Sequence, residues 1–392
     1  MAVKIKDFKL PLQLLAVLIF SVVFGPILPE TVKSFLFAVS ITIKECLIFS
    51  LPFLIFSFLF TSLGHLKNNA LFFAALLIAL ICLSNFTSTM TSYGIGRFTL
   101  ETIAVPCVPK DFDHPLMALW NFKLPKLISN DMALFIGFIT GLIATFKFPH
   151  LQKSWGQHLL KGSYFLLRKV FVPLMPIFIL GFSLKLQNDQ ILNVILLEYP
   201  KVLMIMALVC FGYIFILYSI FSKLNLSKAT KSISNMSSPM LAGFSTMSSA
   251  AAMPLTILAS EKNVERREIV DVVVPATVNI HLIGDCFSIT FFALAVMVSF
   301  GQGIPDLSTF LIFAAYVVLA KFSVAAVPGG GVLVLVPLLE QHLGLSSSMS
   351  SLVTTLYVIF DPIITSANVL GNGAFVIGFS KIYQRFERYL KG

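Results

Sequence analysis

Four polar residues recur on one side of an otherwise apolar stretch, LYVIFDPIITSANVLGNGAFVIGFS (356–380): Asp361, Thr365, Asn368 and Asn372, spaced four, three and four apart. On a helix this spacing puts all four on one face. A second set, Thr277, Asn279, His281 and Asp285, lies in PATVNIHLIGD (275–285). Carboxylates and amides aligned in this way suit the reception of a cation, either an ammonium group or a hard ion that wants oxygen ligands. An acid in an apolar segment is costly and by default marks a binding site or a conduction path. The structural alternative is a polar seam between helices.

The elements that hold these residues read as membrane helices. Of the 392 residues 57% are hydrophobic and 12% charged, with a mean hydropathy of +0.92; soluble domains run at roughly 45–50% apolar and about 25% charged. Apolar stretches of about 20 residues, the length that crosses a hydrocarbon core of roughly 30 Å, are predicted near 10–29, 35–62, 70–96, 130–147, 165–186 and 195–221. The N-terminal run starts basic but lacks a convincing small-residue cleavage site, so it reads as an uncleaved first helix. The net charge of +10 gathers in every second loop, from Lys4, Lys6 and Lys9 through Lys153 and Lys161 to Lys381 and Arg385. That pattern is the mark of cytoplasmic loops rather than a nucleic-acid footprint, and it predicts cytoplasmic N- and C-termini. The five cysteines are scattered without ligand spacing and read as small buried residues.

Two later segments do not fit simple spanning. Residues 227–260 are interrupted by SSAAAMP (248–254), and residues 304–345 by AAVPGGGV (325–332). Proline and consecutive glycines break helices and free backbone groups, which at membrane depth must be packed in protein or line a cavity. Each segment is expected to form a re-entrant hairpin followed by a full span, at 265–300 and 346–385. Such repeated units build transporters, with the site where the broken elements meet. The predicted fold class is an all-α polytopic membrane protein with eight transmembrane helices and two re-entrant helical hairpins.

In this order and at these separations, SSAAAMPLTI, PATVNIHLIGD, AAVPGGGVLVLVPLLE and DPIITSANVLGNGA resemble the dicarboxylate/amino acid:cation symporter family, which includes the glutamate and neutral amino acid transporters. The likeness is detailed over 224–383 and looser through ECLIFSLPFLIFSFLFTSL and NFTSTMTSYGIG. The resemblance implies a homotrimer in the inner or plasma membrane. It also implies a core transport domain, 227–392, moving like an elevator against a scaffold, 1–226, whose third and sixth spans join the core. The implied partners are a small-molecule substrate and the lipid bilayer, with no cofactor and no nucleic acid.

Carried over residue by residue, the family's clamp for an amino acid backbone persists. Ser248 and Ser249 stand at the first hairpin tip, whose region contacts the substrate α-carboxylate, and Val327, Pro328 and Gly331 stand at the gate. Asp361 matches the acid for the amino group, Asn368 the amide for the α-carboxylate, and Thr365 a neighbouring polar contact. The side-chain pocket departs from the family. Ile364 and Met247 stand where acidic-substrate members carry arginines, and Ile283 where a threonine faces the distal carboxylate. A carboxylate desolvated against these three would be unpaired, so a neutral, apolar substrate side chain is expected.

The cation sites depart as well. Two sodium-binding carboxylates of the family read His281 and Asn372, while Thr277, Asn279 and Asn368 persist and Thr87 and Ser88 are placed as third-span hydroxyls. Lys321 either sets a fixed ammonium where the family lends carbonyls to sodium or snorkels to an interface. His281 either works with a proton, its imidazolium held by Asp285 one turn on, or is a neutral hydrogen-bonding member of the core. The expectation is an elevator symporter for a neutral amino acid coupled to a proton, with sodium as the alternative ion. The competing readings are a sodium-coupled glutamate, aspartate or dicarboxylate symporter and an intramembrane enzyme. The second lacks a GxSxG elbow and an HExxH pair.

Overall fold

A helix satisfies its own N–H and C=O groups, which is why long apolar runs fold as helices where water is absent. The computed structural model describes residues 9–64, 71–102, 116–125, 127–128, 130–188, 191–322, 324 and 329–391, and within them every regular element is helical. The first part holds α1 (Lys9–Phe24), α2 (Glu30–Gly64), α3 (Leu71–Thr102), α4 (Asn130–Lys147), α5 (Pro149–Phe165), α6 (Val172–Asn188) and α7 (Ile191–Phe221). The second holds α8 (Leu226–Asn235), α9 (Ser237–Thr246), α10 (Ser249–Ser260), α11 (Arg267–Thr277), α12 (Ile283–Ser299), α13 (Leu307–Lys321), α14 (Gly330–Leu343) and α15 (Ser347–Lys391). Among the described residues three stretches are long and apolar enough to cross a membrane: Ala75–Leu100, Tyr199–Phe221 and Ser347–Glu387.

The helices sort into two packing groups. One is centred on α2, which lies against α4, α5 and α6, with α1 on α6. The other is centred on α12 and α15, which lie against each other; α3 and α7 join them from the first part of the chain, and α9, α10 and α14 pack on α15. Aromatic residues fill this second core: Phe287, Phe291 and Phe292 of α12 and Phe310 and Phe313 of α13 are fully buried. Tyr93 ties α3 to α13 twice, stacking on Phe310 at 4.1 Å and donating its hydroxyl to Pro305 O at 2.8 Å. Where helices share lipid, close packing and such hydrogen bonds hold them together more than water exclusion does.

Three features differ from the sequence expectation. Residues 149–165, read as a basic loop, form α5. Its Gln152 donates to Phe60 O at 3.1 Å, and Thr61 donates to Gly156 O at 3.2 Å, so its polar residues serve packing on α2. A π-helical turn, Leu166–Phe171, joins it to α6. The expected single span at 265–300 is two helices: α11 carries Pro275 and ends at Thr277, and residues 278–282 lie between it and the start of α12. A proline within a helix removes a backbone hydrogen bond and crowds the preceding turn. In the first interrupted segment the break falls at Met247, in the left-handed region at φ 49°, and SSAAAMP opens α10 instead of ending a helix. Ser248 caps α10 by accepting from Ala251 N–H at 3.3 Å. α10 packs back on α9, and α14 on α13, so each interrupted segment holds two helices packed on each other.

Gly284 sets how closely α12 approaches α15. A Cβ there would stand 2.3 Å from Ile364 O and 3.0 Å from Asn368 Oδ1. Gly284→Ala is expected to destabilise the protein by about 1–3 kcal/mol, read as a lowered melting temperature in detergent; an unchanged melt would show that the helices are not in contact there.

Candidate functional site

The face predicted on 356–380 forms, and α15 buries all four of its polar residues. Asp361 Oδ1 accepts from Thr365 Oγ1 at 3.0 Å, and Asp361 Oδ2 from the backbone N–H of Gly329 at 2.8 Å. Gly329 takes φ 70°, a left-handed conformation open to glycine, and immediately precedes α14. The positive end of α14 therefore rests on this carboxylate. Gly331 lies over the other acid of the site, Asp285, where a Cβ would come within 2.2 Å of Oδ2.

Asp285 is saturated by three side chains. Lys321 Nζ lies 3.2 Å from Oδ2, and Oδ1 accepts from Asn368 Nδ2 at 2.8 Å and from the Tyr357 hydroxyl at 3.1 Å. Asn368 Oδ1 in turn accepts from Asp285 N–H at 3.3 Å. Two sequence readings fall here. Lys321 does not snorkel; its side chain is 0% exposed and its ammonium is spent on Asp285. Asp285 does not hold His281, since that expectation assumed one continuous helix, and the unwound residues 278–282 separate the two.

His281 finds other partners. Its Nδ1 lies 3.0 Å from Asn372 Oδ1 and its Nε2 2.8 Å from Ser84 Oγ, while the ring sits 4.3 Å from Phe375. The two positions at which the family resemblance places sodium carboxylates are thus bonded to each other. With a proton on Nδ1 donated to the amide oxygen, the Ser84 hydroxyl donates to Nε2. If Nε2 is protonated too, rotation of that hydroxyl turns it into an acceptor.

The break before α12 is repaired from α3. Asn85 donates to Ile280 O at 2.7 Å and accepts from Leu282 N–H at 3.2 Å, satisfying two backbone groups that the unwound segment frees. Thr277 is buried and turned back to Val273 O at 2.8 Å; Asn279 Oδ1 is buried with no hydrogen-bond partner among the described residues. Of the third-span hydroxyls, Ser88 is buried against its own helix, bonding Ser84 O and Asn85 O, whereas Thr87 is exposed and meets Tyr213. Ser84 is the hydroxyl that reaches His281.

Met247, Ile283 and Ile364 are buried apolar residues, and Ser249 is buried behind the Ser248 cap. Val327 and Pro328 lie outside the described residues. Sequence reasoning missed Ser84, Asn85 and Tyr357. Tyr357 lay within reach, because it stands four residues before Asp361 and extends the same helical face. Asn85 and Ser84 carried no such signal, since their task follows from a break in another helix.

The family model described as the sodium:dicarboxylate symporter family matches residues 157–382, more than half of the chain. No curated protein matches it. The match spans α12, α13, α14 and the site-bearing part of α15, but not Ser84 and Asn85.

Asn85→Ala would leave two buried backbone groups unpaired. A loss of about 1–3 kcal/mol per group is expected, seen as reduced thermal stability in detergent; Asn85→Leu, which has the size but neither donor nor acceptor, should recover none of it. Wild-type melting in both variants would refute the bridging role.

Proposed function

The chain belongs to the sodium:dicarboxylate symporter family, an integral-membrane family of symporter-type transporters rather than enzymes, and from that premise we propose that it carries an amino acid with a neutral side chain, coupled to a proton. The observation that carries this reading is the unequal state of the two buried acids. Asp285 has its ammonium in Lys321; Asp361 has only N–H and O–H donors and no cationic partner among the described residues. A buried carboxylate without a counter-charge is costly, and the ammonium of an amino acid supplies one. Asn368, with one N–H on Asp285 and one remaining, and the Ser248–Ser249 turn are the groups for the α-carboxylate.

Neutrality of the substrate side chain is supported by the cations present among the described residues. Among the described residues the buried lysines are Lys33, bonded to Asn188 beside α6, and Lys321, already neutralised by Asp285. A second substrate carboxylate would meet no unpaired buried lysine among the described residues. His281 is the proton candidate, because its Ser84 and Asn372 partners accommodate both protonation states by one hydroxyl rotation. The sodium reading rests on Asn279 Oδ1, a buried oxygen without a partner. The packing of α9 on α10 and of α13 on α14 supports re-entrant hairpins, and the grouping of α3 and α7 with α12 and α15 supports a core transport domain built with the third and sixth spans. On the same reading the protein is an elevator homotrimer of the inner membrane with cytoplasmic termini.

Reconstituted protein offered neutral and acidic amino acids under imposed gradients should take up a neutral one with an inward proton gradient; sodium-driven glutamate uptake would overturn both substrate and coupling. Asp361→Asn is expected to cut uptake by roughly a hundredfold or more with folding retained, and unchanged uptake would remove Asp361 from the clamp. In His281→Phe, substrate exchange should persist while the stimulation by a proton gradient disappears; retained stimulation would move the proton site elsewhere.

A further inference from the structure

We propose that Lys321 is a tethered cation that holds the end of α13 on Asp285, so that this buried carboxylate requires no dissolved cation. The symporter reading is needed only for the meaning of this pair in transport. Lys321 is the last residue of α13, and Asp285 lies in the first turn of α12. Both side chains are buried, at 0% and 3% exposure, with Nζ and Oδ2 3.2 Å apart. The acid is also where α14 comes close, because its Gly331 leaves no room for a Cβ beside Oδ2.

Three elements therefore converge on one carboxylate. α13 brings the ammonium, α14 brings a side-chain-free backbone, and α15 brings Tyr357 and Asn368. Removing either group would leave the other charge unpaired in a poorly solvated interior, where an unpaired partner is far more costly than the pair. A free ion supplies such neutralisation only at a sufficient concentration. An ammonium carried on α13 supplies it at any salt concentration, from 3.2 Å off Oδ2.

The inference makes a demand that an ordinary structural ion pair does not. With the ammonium removed and the carboxylate kept, Asp285 and the Tyr357 oxygen are left around a vacated, negatively charged space that a small cation fits. The test is thermal unfolding of the purified full-length protein in sodium chloride and in choline chloride, for wild type, Lys321→Ala and the doubly neutral Lys321→Ala with Asp285→Asn. Wild type should melt at the same temperature in both salts. Lys321→Ala should melt several degrees lower in choline and regain much of the loss in sodium, saturably, as a site newly filled by an ion requires; the double variant should be indifferent to sodium. A Lys321→Ala protein whose sodium response does not exceed that of wild type overturns the proposal, and so does a double variant that keeps the added response. Melting needs no substrate, so a sodium-indifferent wild type that nevertheless transports glutamate would refute the neutral-substrate reading and leave the tethered cation standing.

Discussion

Two carboxylates lie buried against the start of α14, and one ammonium serves them. Asp285 is neutralised from within by Lys321, while Asp361 is held by the Gly329 N–H and the Thr365 hydroxyl, which stabilise its charge without cancelling it. Much of the surrounding structure follows from that inequality. α14 must present its positive end to the acids, and it can come this close only because residues 329–331 are glycines, one in a left-handed conformation and one with no space for a side chain. α15 must be helical through Tyr357, Asp361, Thr365 and Asn368 for one face to reach both acids. Gly284 must be small for α12 to bring Asp285 to that face.

Irregular backbone is the second requirement, and it is met from a helix distant in sequence. Unwinding residues 278–282 frees amide groups, and Asn85 closes two of them from α3 with a single side chain. One residue earlier, Ser84 completes the partners of His281. The same turn of α3 thus repairs the break and tunes the imidazole at its centre. This gives a physical reason for α3 to pack with the C-terminal helices rather than with α2.

The sequence made the helical class, the two interrupted segments and the polar face of α15 legible, since each is written in local signals: apolar length, glycine and proline, and spacing of four, three and four. The site residues it could name were those on one continuous helix. It paired Asp285 with His281 because counting residues assumes an unbroken helix, and Pro275 alone did not reveal that five residues would unwind. It left Lys321 between two fates because a lysine at the end of an apolar segment looks the same in sequence whether it reaches back to an interface or inward to an acid. Only the packing of α13 against the core decides that, and such packing is long-range information. Ser84 and Asn85 were illegible for the same reason; their partners lie about two hundred residues away.

The departures at the site form two self-contained units. His281 and Asn372 bond to each other, and Lys321 and Asp285 cancel each other, so neither unit needs an ion from solution to be satisfied. On the proposed reading, what remains among the described site residues is the carboxylate of Asp361, counted as one negative charge. An amino acid with a neutral side chain brings one ammonium and one carboxylate, and so changes that total by nothing. It pairs Asp361 but leaves its own carboxylate, and the loaded site still carries one net negative charge into a medium where charge is expensive. One proton on His281 brings the total to zero, and its two partners can hold that proton without rearranging any helix. On the proposed reading, coupling to a single proton is therefore the stoichiometry that makes the loaded core electrically neutral, and it requires no change in the Lys321–Asp285 pair.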